Sequence, residues 1–466
     1  MPLVIHNTLT GKDELFKKSK KPLKMFVCGP TVYGQVHIGH ARVEITFDMF
    51  ARYLREAGYG LFYLQNITDV DDKIIARAKE EGISPVALAR HWEKDYMACM
   101  KDLRVTSVDR WARASAFIKE IQEQILRLIA KGYAYETENG VYFEVRKFVD
   151  YGKLSGQDLD AVRPHYRIEP DTLKKDPLDF ALWKRTSKDD GISWKSPWGE
   201  GRPGWHIEDT AITEKLLGQQ YDIHGGGLDL KFPHHEAEIA QQEAASGKKP
   251  FVRAWMHVGL VTVKDEKMSK SLKNFLTVED FLKKYSVDIL RFMVLSAHYR
   301  SPLNYSESLV EQSRAALSTV NEFLGKLDSV AVSGRAGAVS RAVTGAMAKC
   351  EKAFATAMEA DFNTPQAVGA LFSFINGYGA SVWTLTRAES AAVRSFLLKK
   401  FSVFGLVFKS SAAPASVRAL VRKREIARIS KDFAAADAAR AEIAKAGYAV
   451  EDTPIGPHLK ALEAKE

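Results

Sequence analysis

Cysteine is scarce here: Cys28, Cys99 and Cys350 are the only three in 466 residues. They are too few and too scattered for a disulfide framework, so the expected compartment is a reducing cytoplasm. No run of 18 apolar residues occurs, which removes a membrane-spanning helix from the reading. The opening residues Met1-Pro2-Leu3-Val4-Ile5-His6-Asn7 lack the basic-then-apolar layout of a secretory signal. Neither charge dominates: 67 Lys+Arg against 58 Asp+Glu leave +9, compatible with a polyanionic partner but no proof of one. What remains, 46% hydrophobic and 27% charged, is ordinary for a soluble globular protein of roughly two to four domains.

Chemistry concentrates first in residues 23–57. The apolar run Lys24-Met25-Phe26-Val27-Cys28 breaks on Gly29-Pro30, and His37-Ile38-Gly39-His40 opens a helix expected to reach about Gly58. A buried strand feeding a Gly-containing helix start is how a doubly wound α/β domain offers backbone N–H groups to phosphate. His37 and His40 fall on one helix face, and Gly39 leaves room for a nucleotide against the backbone. Taken alone, such histidines are as readily caps or core residues. A second apolar strand, residues 257–263, leads to Lys267-Met268-Ser269-Lys270-Ser271. Two lysines and two hydroxyls on a strand-to-helix loop suit a triphosphate gripped transiently, although a lysine-rich loop by itself is usually solvated surface.

Together the two motifs, about 230 residues apart, resemble the paired signatures of class I aminoacyl-tRNA synthetases. Cys28-Gly29-Pro30-Thr31-Val32-Tyr33 is similar to the cysteinyl-tRNA synthetases in particular. So are Asn66-Ile67-Thr68-Asp69-Val70-Asp71-Asp72-Lys73, Asp150-Tyr151-Gly152-Lys153-Leu154-Ser155-Gly156 and Glu451-Asp452-Thr453-Pro454. The resemblance implies an α/β fold: a Rossmann-like parallel nucleotide-binding sheet with a connective insertion, followed by a helical bundle and a small C-terminal domain. Residues 1–139 and 201–305 are expected to be the halves of the catalytic domain and 140–200 the insertion. Residues 306–409 are then the bundle and 415–466 the anticodon-binding domain, after the linker Ser410-Ser411-Ala412-Ala413-Pro414.

The same resemblance implies ATP, L-cysteine and tRNA(Cys) as partners of a cytoplasmic monomer, with Mg2+ accompanying ATP. It makes His37, His40, Lys267 and Lys270 catalytic, sets Gly39 and Met268 at ATP, and places Thr68, Trp205, His224 and Asp229 around the amino acid. Asp69, Asp71 and Asp72 could be read as metal ligands, but the helical residues after them favour loop and helix capping.

Pro233 fits the first turn of a helix, which puts His234 and Glu238 i,i+4 on one face. That spacing lets two side chains share a metal ion, and it equally describes a plain surface pair. In the family, the positions matching Cys28, Asp209, His234 and Glu238 bind one Zn2+ per chain, yet the family has cysteine where this chain has Asp209. The swap conserves charge and makes the site harder and less zinc-selective. The competing reading makes Asp209 the N-cap of a helix over 210–217, with the metal lost or moved. Two smaller departures are Lys273, where the family usually has Gly, and His458-Leu459-Lys460, where it often has a tryptophan.

Residues 84–132 carry helical periodicity. The tail sets Arg418, Arg422, Lys423, Arg424, Arg428 and Lys431 against Glu425 alone, a net +5 in fifteen residues that fits contact with a phosphate backbone. Two rivals remain. A ligase passing activated cysteine to an amino sugar would lack this tail. An inactive RNA-binding paralogue would not need both signatures intact.

Overall fold

Strands that are apolar on both faces need helices on both sides, and the first part of the chain supplies them. This computed structural model describes residues 2–157, 172–186, 190–263, 266–267, 275–408 and 413–462. Strands β1 (Leu23–Val27), β2 (Leu61–Ile67), β3 (Arg110–Arg113), β4 (Tyr221–Gly227) and β5 (Val252–Val258) form one parallel sheet in the order β5-β4-β1-β2-β3. The direction of strand addition reverses between β4 and β1, so the crevice at their carboxyl ends is where such a sheet binds ligands. The periodicity of residues 84–132 holds for helices Pro85–Asp102 and Ile118–Ala130, but it hides β3 between them. That edge strand reads Arg-Trp-Ala-Arg with only Ala112 buried, too short and too charged to show an alternating pattern.

Helix α1 (Ile38–Glu56) lies against the sheet over Gly225, where a Cβ would come within 2.2 Å of the Phe47 ring. Its hidden face carries charge. Arg42 donates to the carbonyls of Gly259 (2.7 Å) and Leu260 (2.8 Å). Asp48 accepts from Arg52 (2.7 Å) and from the fully buried Arg291 (2.6 Å). Glu44 accepts from Gln65 Nε2 (2.9 and 3.0 Å) and from the Tyr96 hydroxyl (2.8 Å). Charges buried this way persist only when paired, and the pairs fix α1 to β2 and to the segments flanking the lysine motif.

The stretch expected to be an insertion supplies only the two inner strands of a four-stranded antiparallel sheet, Ala134–Thr137, Gly140–Phe143, Phe180–Arg185 and Gly201–Pro203, whose first strand lies in residues the sequence assigns to the first catalytic half. Trp183, Phe143 and Phe180 pack there with Ile121 and Ile125 of the preceding helix. The last strand lies in residues the sequence assigns to the second catalytic half.

Contacts divide the chain into two units, residues 1–306 with 358–363 and residues 307–357 with 364–466. In the second, helices lie over Glu307–Ser333, Thr364–Tyr378, Arg387–Val403, Ala415–Ile429 and Phe433–Lys445, and a hairpin (Tyr448–Thr453, Gly456–Ala461) closes the chain. The bundle and the tail, which the sequence separates at residues 410–414, fall within this same unit. His458 joins them: it is buried, its Nδ1 lies 2.9 Å from Ser329 Oγ and its ring 5.3 Å from Trp383.

Asp361-Phe362-Asn363 separate helix Arg341–Glu359 from helix Thr364–Tyr378 along the chain. Asp361 and Phe362 take φ of +55° and +50°, values rare outside glycine. Within the first unit, Phe362 stacks on Phe50 at 3.9 Å, and Asp361 Oδ1 accepts from His6 N (2.9 Å) and the Tyr299 hydroxyl (2.7 Å). Among the described residues no helix is long and apolar enough to cross a membrane.

Candidate active site and metal centre

The first signature sits where β1 hands over to α1. His37 is the N-cap of α1, its Nδ1 accepting from Gly39 N (3.1 Å) and His40 N (3.3 Å), and the two imidazoles stack at 3.8 Å. Capping engages Nδ1, so the cap and ligand readings of His37 are compatible. The backbone stitches this helix start to the far side of the lysine motif: Ile38 N donates to Leu276 O (3.1 Å), and Val278 N to Val36 O (2.9 Å). Lys267 ends a short strand paired with Val261–Val263. Met268, Lys270 and Lys273 lie outside the described residues.

At the β1–β4 crevice, Cys28 follows β1 directly and donates its backbone N–H to Gly225 O (3.0 Å). Helix α2 (Trp205–Leu216) brings Asp209, and α3 (Glu236–Ser246) with the wide turn before it brings His234, His235 and Glu238. The four positions singled out from sequence meet: Cys28 Sγ lies 3.4 Å from Asp209 Oδ2 and 3.9 Å from Glu238 Oε1. His234 Nε2 lies 3.1 Å from Asp209 Oδ2 and 3.0 Å from Glu238 Oε1. Asp209 is not a helix cap, since α2 begins four residues earlier behind Gly204. Its Oδ1 accepts from Asn66 Nδ2 at 2.5 Å while its Oδ2 faces the cluster.

Asn66 also binds Gly29 N through Oδ1 (2.6 Å), and a Cβ on Gly29 would come within 1.9 Å of Asn66 O, which explains the glycine. Asn66 was not anticipated, because an amide in a strand carries no periodic signal. His235 and His224 were not anticipated at the cluster either. Their Nε2 atoms lie 3.1 and 3.3 Å from Cys28 Sγ, and the ligand atoms of Cys28, His234, His235 and Glu238 all fall within 4.8 Å of one another.

Electrostatics here favour a cation. Burial, reinforced by Glu238 and Asp209, pushes the Cys28 thiol well up. Burial also raises Glu238, more than His234 pulls it down, while Glu238 and Asp209 outweigh burial and raise His234. Glu238 Oε2 is buried and accepts no hydrogen bond from the described residues, with His224 Nε2 3.5 Å away. The contacts of Cys28 and His234 with Asp209 and Glu238 span 3.0–3.9 Å, around the roughly 3.3–3.5 Å edges of a tetrahedron with Zn–N near 2.0 Å and Zn–S near 2.3 Å. The donor set therefore fits a metal ion better than it fits shared protons.

Of the remaining expected residues, Trp205 stacks on His234 at 4.1 Å. Thr68 is buried, donating to Glu208 Oε2 at 3.1 Å. His224 is wholly buried, stacked on Trp255 at 4.1 Å. Asp229 is exposed on the turn after β4. Asp71 caps helix Asp72–Glu81 through Lys73 N (2.8 Å), and Asp69 accepts from Ser115 N (2.9 Å), in line with the capping reading.

In the tail Arg418, Arg422, Lys423 and Arg428 are exposed, but Arg424 is not. Its guanidinium is buried and forks onto Asp452 with two 2.8 Å bonds, so it is taken off the basic face it was assigned to.

Residues 15–315 match the class I (C) tRNA synthetase catalytic domain, 353–409 the DALR domain and 410–456 the cysteinyl-tRNA ligase anticodon-binding domain. The chain is 44% identical to cysteine–tRNA ligase of Thermoplasma volcanium over 97% of its own length and 98% of that protein's. It is 43% identical to cysteine–tRNA ligase of Coxiella burnetii, with 98% and 99% covered. In fold it resembles Mycobacterium tuberculosis methionyl-tRNA synthetase in complex with methionyl-adenylate: TM-score 0.61, 17% identity, 82% of this chain and 89% of that one covered. A first signature at the sheet edge, hydrogen-bonded to residues just past the second, a donor cluster at the switch point and relatives spanning the whole length agree: the chain belongs to the cysteinyl-tRNA synthetase family of class I aminoacyl-tRNA synthetases.

Proposed function

We propose that the protein joins L-cysteine to tRNA(Cys) in two ATP-dependent steps. A cysteine carboxylate oxygen attacks the α-phosphorus of ATP, and pyrophosphate leaves with the electrons of the broken P–O bond. A hydroxyl of the terminal adenosine of the tRNA then attacks the carbonyl carbon, and AMP leaves. Phosphoryl displacements of this kind need positioning and charge neutralisation more than covalent help from the protein. His37 and His40, with the backbone at Gly39, are the groups assigned to the α-phosphate. Lys267 and Lys270 are assigned to the departing pyrophosphate, and Met268 to the adenosine. Mg2+ accompanies the nucleotide.

Thr68, Trp205, His224 and Asp229 are assigned to the amino-acid side. Thr68 and His224 are buried, so their effect passes through the groups they hold. Cys28, Asp209, His234 and Glu238 would hold Zn2+, which when bound offers a thiolate partner that the hydroxyl of serine cannot match. A methyl-sized pocket difference yields only about 1–3 kcal/mol, so a metal is the stronger discriminator. Arg418, Arg422, Lys423 and Arg428 form the exposed basic face offered to tRNA, on a protein read as a cytoplasmic monomer.

The observation that carries this reading is the meeting of Cys28, His234 and Glu238 at the carboxyl edge that also bears His37 and His40. Cysteine-dependent exchange of pyrophosphate into ATP, then charging of purified tRNA, tests it. Exchange with serine but not cysteine would defeat the proposal.

A further inference from the structure

Beyond the four metal positions lies a chain of hydrogen bonds that ends on Cys28. Thr8 Oγ1 gives its single proton to Trp255 O at 2.8 Å, so it can only accept at His257 Nδ1, 3.0 Å away. With Nδ1 of the buried His257 donating to Thr8, the lone pair of its ring lies on Nε2. His235 Nδ1, 2.8 Å from that Nε2, must then be the protonated nitrogen. The other ring nitrogen, Nε2, faces Cys28 Sγ at 3.1 Å. Ligating histidines characteristically show this arrangement, one ring N–H tied to an acceptor behind and the other nitrogen presented bare. Room for the ring is built in, since a Cβ on Gly226 would come within 2.9 Å of His235 Cε1.

We propose that His235 is a metal ligand in this chain, a second imidazole making up for the thiolate that Asp209 replaces, with Thr8 and His257 as its positioning residues. The inference rests on the metal reading above. Asp209 offers the cluster only Oδ2, because Asn66 holds Oδ1, and a carboxylate oxygen is a harder donor than the sulfur it replaces. A neutral imidazole suits zinc, leaves the net charge of the shell unchanged and comes from a side chain already at contact distance. Zinc tolerates five donors as well as four.

Affinity for Zn2+ is measured on the full-length protein by chelator competition, and the absorption bands of the Co2+-loaded protein are recorded. His235→Gln is expected to lower affinity more than tenfold and to shift the Co2+ bands. Thr8→Val, nearly isosteric and touching no donor atom, is expected to lower affinity about 10–100-fold. Wild-type affinity with unchanged bands in His235→Gln overturns the assignment. If that variant does not fold, the same result in Thr8→Val does so. A wild-type protein that takes up no metal would instead sink the metal centre itself, which keeps the two failures apart.

Discussion

Glu44 lies fully buried on α1 behind the active-site edge and offers a quantitative test of how that edge is supported. Burial pushes its carboxyl up to about 7 against an ordinary 4.5, even though Gln65 and Tyr96 donate to it. The native protein therefore holds this proton more tightly than the unfolded chain does. Ionised Glu44 costs stability above pH 7, the penalty shrinks as pH falls through 7, and it vanishes below 4.5. A shift of this size corresponds to about 3 kcal/mol at pH 8 and about 1 kcal/mol at pH 5.5, so the pH-dependent part over that interval is about 2 kcal/mol.

Glu44→Gln removes the titration. Its carbonyl oxygen can still accept from Tyr96, and its amide can donate to Gln65 once that side chain flips. The flip gives up a long 3.4 Å bond from the Tyr63 hydroxyl, a cost of about 1 kcal/mol or less. The variant is therefore expected to be more stable than wild type at pH 8 and close to it at pH 5.5. Urea unfolding followed by tryptophan fluorescence reads this directly, because every tryptophan except Trp383 lies in the first unit. A stability difference between the two proteins that is the same at both pH values would refute the argument.

Three further outcomes are expected. Asp209→Ala should bind zinc more weakly and raise KM for cysteine, whereas Asp209→Cys should bind it more tightly and stay active; full metal affinity in the alanine variant would remove Asp209 from the shell. Arg424→Ala should cost about 2 kcal/mol of stability in the second unit, less than a fully buried pair because Asp452 is 49% exposed. Replacing Arg418, Arg422 and Lys423 by Gln should instead lower the salt slope of tRNA binding by about two, and an unchanged slope would place the tRNA elsewhere. Lys270→Ala should slow cysteine-dependent pyrophosphate exchange about 100-fold or more while cysteine binding survives, because its charge acts on the leaving group; an unchanged rate defeats that role.

Of the central sheet β1 was legible as a buried apolar run, whereas β4, Tyr-Asp-Ile-His-Gly-Gly-Gly, is no such run, and the strand expected over 257–263 is split between β5, which ends at Val258, and the short Val261–Val263 of another sheet. β3 was not legible, because a charged four-residue edge strand has no pattern to show. The candidate donors His234 and Glu238 were legible through their i,i+4 spacing and lie 3.0 Å apart, although the regular helix begins at Glu236 and not at Pro233, whereas Cys28 and Asp209 were singled out by the family resemblance alone. His235 escaped because periodicity assumes a regular turn. The chain instead makes a wide turn over Lys231–His235 after an extended Phe232 (φ −141°, ψ 136°), and consecutive imidazoles reach one cluster. Asp209 resembled a cap only while α2 was thought to begin after it, and Gly204, with no side chain to donate, gave no start signal. Arg424 was miscounted with its basic neighbours because its counter-acid, Asp452, arrives from a hairpin 28 positions downstream.

The left-handed pair Asp361-Phe362 bears on how such a protein can be inherited. Residues 358–363 belong to the first unit although the residues on either side belong to the second, so the backbone crosses between the units three times. A gene fragment ending after residue 306 would carry both signatures and the buried donor cluster and yet lack Phe362. It would leave the face of Phe50 bare on the signature helix and His6 N and the Tyr299 hydroxyl without their acceptor. The catalytic part is therefore not a detachable module with an adaptor fused behind it. Recombination that exchanged the tRNA-reading part between relatives would have to carry or recreate this hexapeptide, which favours transmission of the whole coding sequence as one piece.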